Sequence, residues 1–94
     1  SHNFIKKFKG KIINIHPSLL PKYKGLNTYN RVLKNGEKYT GCTVHFVNSK
    51  LDGGKIILQK KIKILKKDTA ISLKKRVQKE EYLIYPRAIK KIIN

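Results

Sequence analysis

Acidic residues are scarce in this sequence. Five Asp and Glu stand against 23 Lys and Arg among 94 residues. A carboxylate for acid–base work must therefore be Glu37, Asp52, Asp68, Glu80 or Glu81. Cysteine occurs once, at Cys42, which excludes an internal disulfide and a multi-cysteine metal site. The scattered His2, His16 and His45 show no metal-ligand spacing, so no metal is expected. Neither a Walker phosphate loop nor a Gly-rich dinucleotide fingerprint is present. No apolar run approaches the ~20 residues of a membrane span. Residues 1–11 lack the apolar stretch of a secretory signal. These absences point to a cytoplasmic protein without a membrane partner. Methionine is missing altogether. Either the initiator residue alone has been lost or the chain is a fragment whose natural beginning is missing, and the fragment is the preferred reading.

What is present is one domain's worth of chain with 39% hydrophobic residues, enough for a core. A domain of this size buries only about 60–65% of its unfolded surface, so its stability margin is thin. The net charge is +18. One reading is an anionic partner such as nucleic acid or a phosphorylated metabolite. The other is compositional drift towards A- and T-rich codons, because Ile and Asn are abundant too. Only Arg31, Arg76 and Arg87 are arginines; the other basic residues are lysines. A dedicated nucleic-acid face usually uses Arg for bidentate contacts. Drift is the preferred reading, and nucleic acid is not expected as a partner.

Pattern and punctuation divide the chain. Phe4–Phe8 reads as a helix end stopped by Gly10. Lys11–Ile15 reads as a buried strand ending at His16-Pro17. Ser18–Gly25 reads as a loop. Asn27 or Thr28 caps a short helix over Tyr29–Lys34, ended by Asn35-Gly36. Gly41–Val47 alternates as a strand, with Cys42, Val44 and Phe46 opposite Thr43, His45 and Val47. After a loop over 48–54, Ile56–Leu65 reads as a strand, with a bulge at Gln59-Lys60-Lys61. Asp68 is placed as N-cap of a last helix. Its apolar stripe is Ala70, Leu73, Val77, Ile84, Ala88 and Ile92, with a kink or restart at Pro86. Strands interleaved with helices predict an α/β fold with a mixed sheet.

Asn14 and His16 lie two apart at the end of the first long strand, so both project from one face. Ligands of open α/β sheets bind outside strand carboxyl ends. An amide there can stabilise an oxyanion, and an imidazole can move protons near neutral pH. By spacing alone this is a weak signal, since turn Asn and surface His are common. Asp52, in Leu51-Asp52-Gly53-Gly54, fits ordinary turn chemistry or a carboxylate that orients an imidazole. Glu81 falls on the apolar stripe, where an ionised carboxylate is costly unless paired. It pairs with a lysine or faces a polar ligand. His45 reads as a core histidine, with support of the site as the minor alternative.

These residues occur in three ordered blocks. The first is Gly10-Lys11-Ile12-Ile13-Asn14-Ile15-His16-Pro17-Ser18-Leu19-Leu20-Pro21, continuing through Gly25-Leu26-Asn27-Thr28. The second is Gly41-Cys42-Thr43-Val44-His45-Phe46-Val47 with Leu51-Asp52-Gly53-Gly54. The third is Val77-Gln78 and Glu81, followed by Ile84-Tyr85-Pro86. Together they resemble the phosphoribosylglycinamide formyltransferase family across nearly the whole chain. The resemblance implies the C-terminal half of a Rossmann-like formyltransferase domain, residues 1–94 being one partial domain without the nucleotide- and phosphate-binding half. It implies formyl transfer from 10-formyltetrahydrofolate to the amine of glycinamide ribonucleotide in purine biosynthesis, without a metal. Asn14 then resembles the oxyanion-binding asparagine, His16 the catalytic histidine and Asp52 the aspartate that tunes it. Substrate contacts fall on Pro17, Ser18, Gln78 and Glu81, with Glu81 near the ribose. Val47, Asn48, Leu51 and Asp52 fall in the folate pocket. The chain departs from the pattern at Tyr29, where many relatives have His, and at Lys55, where they have Pro or an apolar residue. Rivals are other folate-dependent formyltransferases, formyltetrahydrofolate hydrolases, a basic nucleic-acid-binding module, and an inactive half-domain that self-associates through an exposed sheet edge.

Overall fold

A computed structural model of the chain describes residues 5–8, 11–47 and 54–93. The elements run β1 (Ile5–Phe8), β2 (Lys11–His16), α1 (Thr28–Lys34), β3 (Tyr39–Val47), β4 (Ile56–Lys63) and α2 (Ala70–Ile93). The four strands form one sheet in chain order, β1-β2-β3-β4. The α/β class expected from the sequence is what forms. The sheet differs in one respect: among the described residues all three pairings are antiparallel rather than mixed. The connection from β2 to β3 contains a helix, yet it returns the chain beside β2 in the opposite direction, with His16 opposite Thr43.

Ile5–Phe8 is a strand, not the end of a helix. Four residues are too few to sustain a helix, while pairing Ile5 with Asn14 and Phe8 with Lys11 satisfies the backbone in the ladder. Phe4 and Gly10 lie outside the described residues. In β4 the irregularity falls at Ile57 and not at Gln59–Lys61. Val44 pairs with Leu58 and His45 with Ile56, which leaves Ile57 as the extra residue. The bulge turns Ile57 into the core, whereas Gln59, Lys60 and Lys61 stay exposed in regular pairing.

One face of the sheet carries Ile13, Ile15, Cys42, Val44 and Ile62. Against it pack Tyr29 and Val32 of α1 and Leu73, Val77, Ile84 and Ala88 of α2. Each fully buried aliphatic among them stabilises the fold by roughly 1.5–3 kcal/mol. The stripe read from the sequence is thus the core face of α2, with Glu81 buried in its middle. The cap of α2 is one residue later than expected. Thr69 Oγ1 accepts the Ser72 N–H (3.1 Å), and Ser72 Oγ accepts the Thr69 N–H (2.9 Å). Asp68 instead accepts the Leu65 N–H at 2.7 Å and pairs with Arg76. The helix runs through Pro86 without a break, on an exposed turn where the missing N–H costs least. α1 starts after Asn27, which adopts a left-handed conformation (φ 57) and makes no side-chain cap. No helix among the described residues is long and apolar enough to cross a membrane.

Candidate active site

Alternation along β2 sends Ile13 and Ile15 into the core and Asn14 and His16 to the opposite face. The β2–β3 register sets Asn14 across from His45 and His16 across from Thr43. Four polar side chains thereby share one patch at the carboxyl end of β2. All four are buried. Side chains directly opposite each other in a ladder lie about 4.5–5.5 Å apart at Cβ, so the Asn14 amide and the His45 ring are neighbours.

Hydrogen bonds fix how these groups are presented. His16 Nε2 lies 2.9 Å from the Tyr23 carbonyl oxygen. A carbonyl only accepts, so Nε2 carries a proton, and in the neutral form of the ring the lone pair lies on Nδ1. His45 is arranged in reverse: Nδ1 donates to the Phe46 carbonyl at 3.1 Å, leaving Nε2 as an acceptor. Among the described residues, His45 Nε2 and Asn14 Oδ1 are buried without a hydrogen-bond partner. Leaving such atoms unpaired costs about 1–3 kcal/mol each. An arrangement of this kind suits a face that receives hydrogen bonds from a bound group.

The loop after β2 is braced against the same face. Thr43 Oγ1 donates to the Ser18 carbonyl (2.6 Å) and accepts the Leu20 N–H (3.1 Å). Gln59 Nε2 donates to the Leu20 carbonyl (2.9 Å) and to Thr43 Oγ1 (3.0 Å). Ser18 Oγ donates to the Lys22 carbonyl at 2.6 Å. The Leu20-Pro21 peptide is cis. Gly41 matters here because a Cβ would run into the Lys60 carbonyl oxygen and the Leu19 side chain. Only glycine lets Leu19 of the loop lie on β3 this closely.

On the other face, Glu81 is 2% exposed and its Oε2 has no partner among the described residues. Burial pushes its carboxyl up to about 7. The Tyr29 hydroxyl, also buried without a partner, is held above its ordinary value by burial and by Glu81. The Cys42 thiol is pushed up to about 12 by burial, with Glu81 adding to it, so it stays protonated and unreactive.

A family model described as formyl transferase matches residues 1–89, nearly the whole chain. The chain belongs to the formyl transferase family. It is 53% identical to the phosphoribosylglycinamide formyltransferase of Haemophilus influenzae over 87 residues, covering 93% of this chain and 41% of that protein. It is 46% identical to the enzyme of that name from Escherichia coli, covering 92% of this chain and 41% of the relative. The solved phosphoribosylglycinamide formyltransferase of Anaplasma phagocytophilum superposes with a TM-score of 0.80 at 49% identity, over 83% of this chain and 38% of that one. The chain therefore spans about two fifths of the length of these two curated relatives.

Within this formyl transferase domain the expected site residues fall into three groups. Asn14, His16, Pro17 and Ser18 sit together at the end of β2, Pro17 and Ser18 buried in the braced loop. The Ser18 hydroxyl is engaged with the Lys22 carbonyl. Gln78 and Glu81 lie on α2, against the opposite face of the sheet. A ligand touching both sets must reach around the end of β2. Val47 ends β3 and is partly exposed. Asp52, Asn48 and Leu51 lie outside the described residues. A hollow of about 460 Å³ lined by Leu19, Tyr23, Glu37 and Tyr39 is separate, since neither Asn14 nor His16 lines it. Three contributors escaped the sequence reading: the Tyr23 carbonyl, Thr43 and Gln59. Each acts through backbone geometry or strand register, which no residue type announces. His45 is buried, as a core histidine is expected to be, and the strand register places it beside Asn14.

Proposed function

We propose that this chain carries the catalytic strand of a phosphoribosylglycinamide formyltransferase and works as part of a larger polypeptide in purine biosynthesis. The observation that supports the reading most is the buried Asn14–His16 pair at the end of β2, its imidazole oriented and its amide oxygen unpaired. The names of the relatives supply the acceptor: a phosphoribosylated glycinamide. The formyl donor is 10-formyltetrahydrofolate. The amine nitrogen of glycinamide ribonucleotide attacks the formyl carbon, and the carbonyl π pair moves onto oxygen. An Asn14 N–H donates to that oxygen as it becomes negative, an interaction stronger in the transition state than in the ground state. His16 exchanges a proton through Nδ1, the ring atom left free by the Tyr23 carbonyl. Asp52 stabilises the ring once Nδ1 has taken up a proton and relays protons through water. The attacking amine loses one proton. The oxygen pair then re-forms the carbonyl, and the bond from the formyl carbon to the folate N10 breaks as N10 gains a proton, giving formylated product and tetrahydrofolate. Pro17, Ser18 and Gln78 contact the acceptor, Glu81 faces its ribose hydroxyls, and Val47, Asn48, Leu51 and Asp52 border the folate. No step needs a metal, and the soluble small-molecule chemistry fits the cytoplasm.

Other folate-dependent formyltransferases share this chemistry, and the acceptor separates them. Self-association through an open edge is disfavoured at β4. Its exposed Lys60, Lys61 and Lys63 repel a second strand, and Lys91 Nζ already donates to the Ile57 carbonyl at 2.9 Å.

Substitution in the complete enzyme tests the reading. Asn14→Ala is expected to lower kcat about 10²–10³-fold, the worth of one oxyanion donor. Asp52→Asn is expected to abolish nearly all transfer, because His16 loses its charged partner. Turnover close to wild type in either variant contradicts the assignment. The 94-residue chain alone is expected to transfer nothing, since positioning two substrates is a large part of such a rate. Adding the remainder of the polypeptide as a separate piece should restore activity.

A further inference from the structure

Tyr23 adopts a left-handed backbone conformation, φ 56. For a residue with a Cβ this costs roughly 1–2 kcal/mol, so its surroundings must hold it there. Three grips do so. Its hydroxyl donates to Glu37 Oε2 at 2.6 Å and accepts from Asn35 Nδ2 at 3.1 Å. The Arg31 guanidinium lies 5.3 Å above its ring. Arg31 Nη1 also donates to the next carbonyls of the loop, Lys24 O at 2.7 Å and Leu26 O at 2.9 Å. All three gripping residues belong to α1 or the turn that ends it, an element without any group in the reaction described above. The hydrogen bond to Glu37 is strong enough to hold the Tyr23 phenol above its ordinary value.

What this conformation aims is the Tyr23 carbonyl, and that carbonyl meets His16 Nε2. We propose that Tyr23 is a positioning residue: Arg31, Asn35 and Glu37 clamp its side chain so that its carbonyl fixes the proton of His16 on Nε2 and the lone pair on Nδ1. The role of Glu37, one of only five acids, follows from this. An acceptor is needed at the far end of the phenol, and a carboxylate is the strongest available. The catalytic consequence rests on the formyl-transfer reading, whereas the state of the ring does not depend on it.

Nuclear magnetic resonance of the His16 ring, together with kinetics of the complete enzyme, tests the proposal. In the wild type the Nε2–H proton should be visible and protected from solvent exchange, with Nε2 pyrrole-like and Nδ1 pyridine-like. Tyr23→Phe keeps the ring under Arg31 but deletes both hydroxyl bonds, and Glu37→Ala deletes the acceptor. Both should expose that proton to exchange and lower kcat on the order of tenfold, the lower end for groups that orient a histidine, with KM nearly unchanged. Glu37→Gln retains an acceptor oxygen and should recover most of the loss. A protected Nε2–H in both disruptive variants overturns the proposal. So does loss of protection with unaltered kcat. If the wild-type enzyme transfers no formyl group while the ring behaves as described, the function falls and the clamp stands.

Discussion

At the residue scale, Glu81 is the most consequential oddity. Its ordinary value is 4.5, and burial raises it to about 7. Between those values the folded chain keeps a proton that the unfolded chain releases. Stability from this group is therefore complete below pH 4.5 and is lost as pH rises through 7. Glu81→Gln has no proton to lose, so we expect it to gain on the wild type by about 3 kcal/mol between pH 4.5 and pH 8. Denaturant midpoints of both proteins at the two pH values check this. An equal difference at both pH values would refute the assignment of the pH dependence to Glu81. The sequence revealed that an acid sat on an apolar stripe, but not which reading applied. Its Oε2 is buried without a hydrogen-bond partner among the described residues. Asn14 and His16 were legible because the two-residue period of a strand is fixed by the backbone. His45 as their neighbour was not, because it depends on which strand pairs with which.

At the element scale, α2 was read almost completely, since its stripe recurs over six turns. Its cap was misplaced by one residue because Asp and Thr both cap well, and only the turn geometry selects Thr69. We expect Thr69→Ala to cost about 1 kcal/mol, the usual worth of a lost cap. Pro86→Ala should act the other way and stabilise by about 1–3 kcal/mol, since it restores a helical N–H and removes a steric conflict on an exposed turn. Each kcal/mol moves the midpoint of a domain this small by roughly 4–8 °C, so thermal melts read both effects. A Pro86→Ala variant that melts lower than wild type would show that the helix depends on a bend there. β1 was misread because four residues carry too little periodicity. The β4 bulge was misplaced because a run of polar residues can also be the exposed part of an edge strand, as it is here.

At the scale of the whole molecule, folding leaves the +18 charge largely unbalanced. Three of the five acids are engaged or buried: Asp68 with Arg76, Glu37 with Tyr23, and Glu81 in the core. Self-repulsion of this kind favours expansion and is screened within about 10 Å at 0.1 M salt. Raising NaCl from about 20 to 500 mM should therefore raise the thermal midpoint, because the Debye length falls severalfold across that range. A midpoint that falls or stays constant would mean that the charges are already neutralised by arrangement. The chain spans about two fifths of the length of the Haemophilus influenzae relative.

Residue order alone determined the α/β class, the polar pair on β2, the apolar face of α2 and the three blocks that resemble a formyltransferase, because local periodicity and motif spacing are properties of the chain itself. Tertiary structure alone decided that the sheet is antiparallel among the described residues, that His45 faces Asn14, that Glu81 is buried on the opposite face, and that the Tyr23 carbonyl sets the proton on His16. The first three depend on pairings between residues far apart in the chain and the last on the path of a seven-residue loop, and it is the register of packing, not the identity of any one residue, that fixes them.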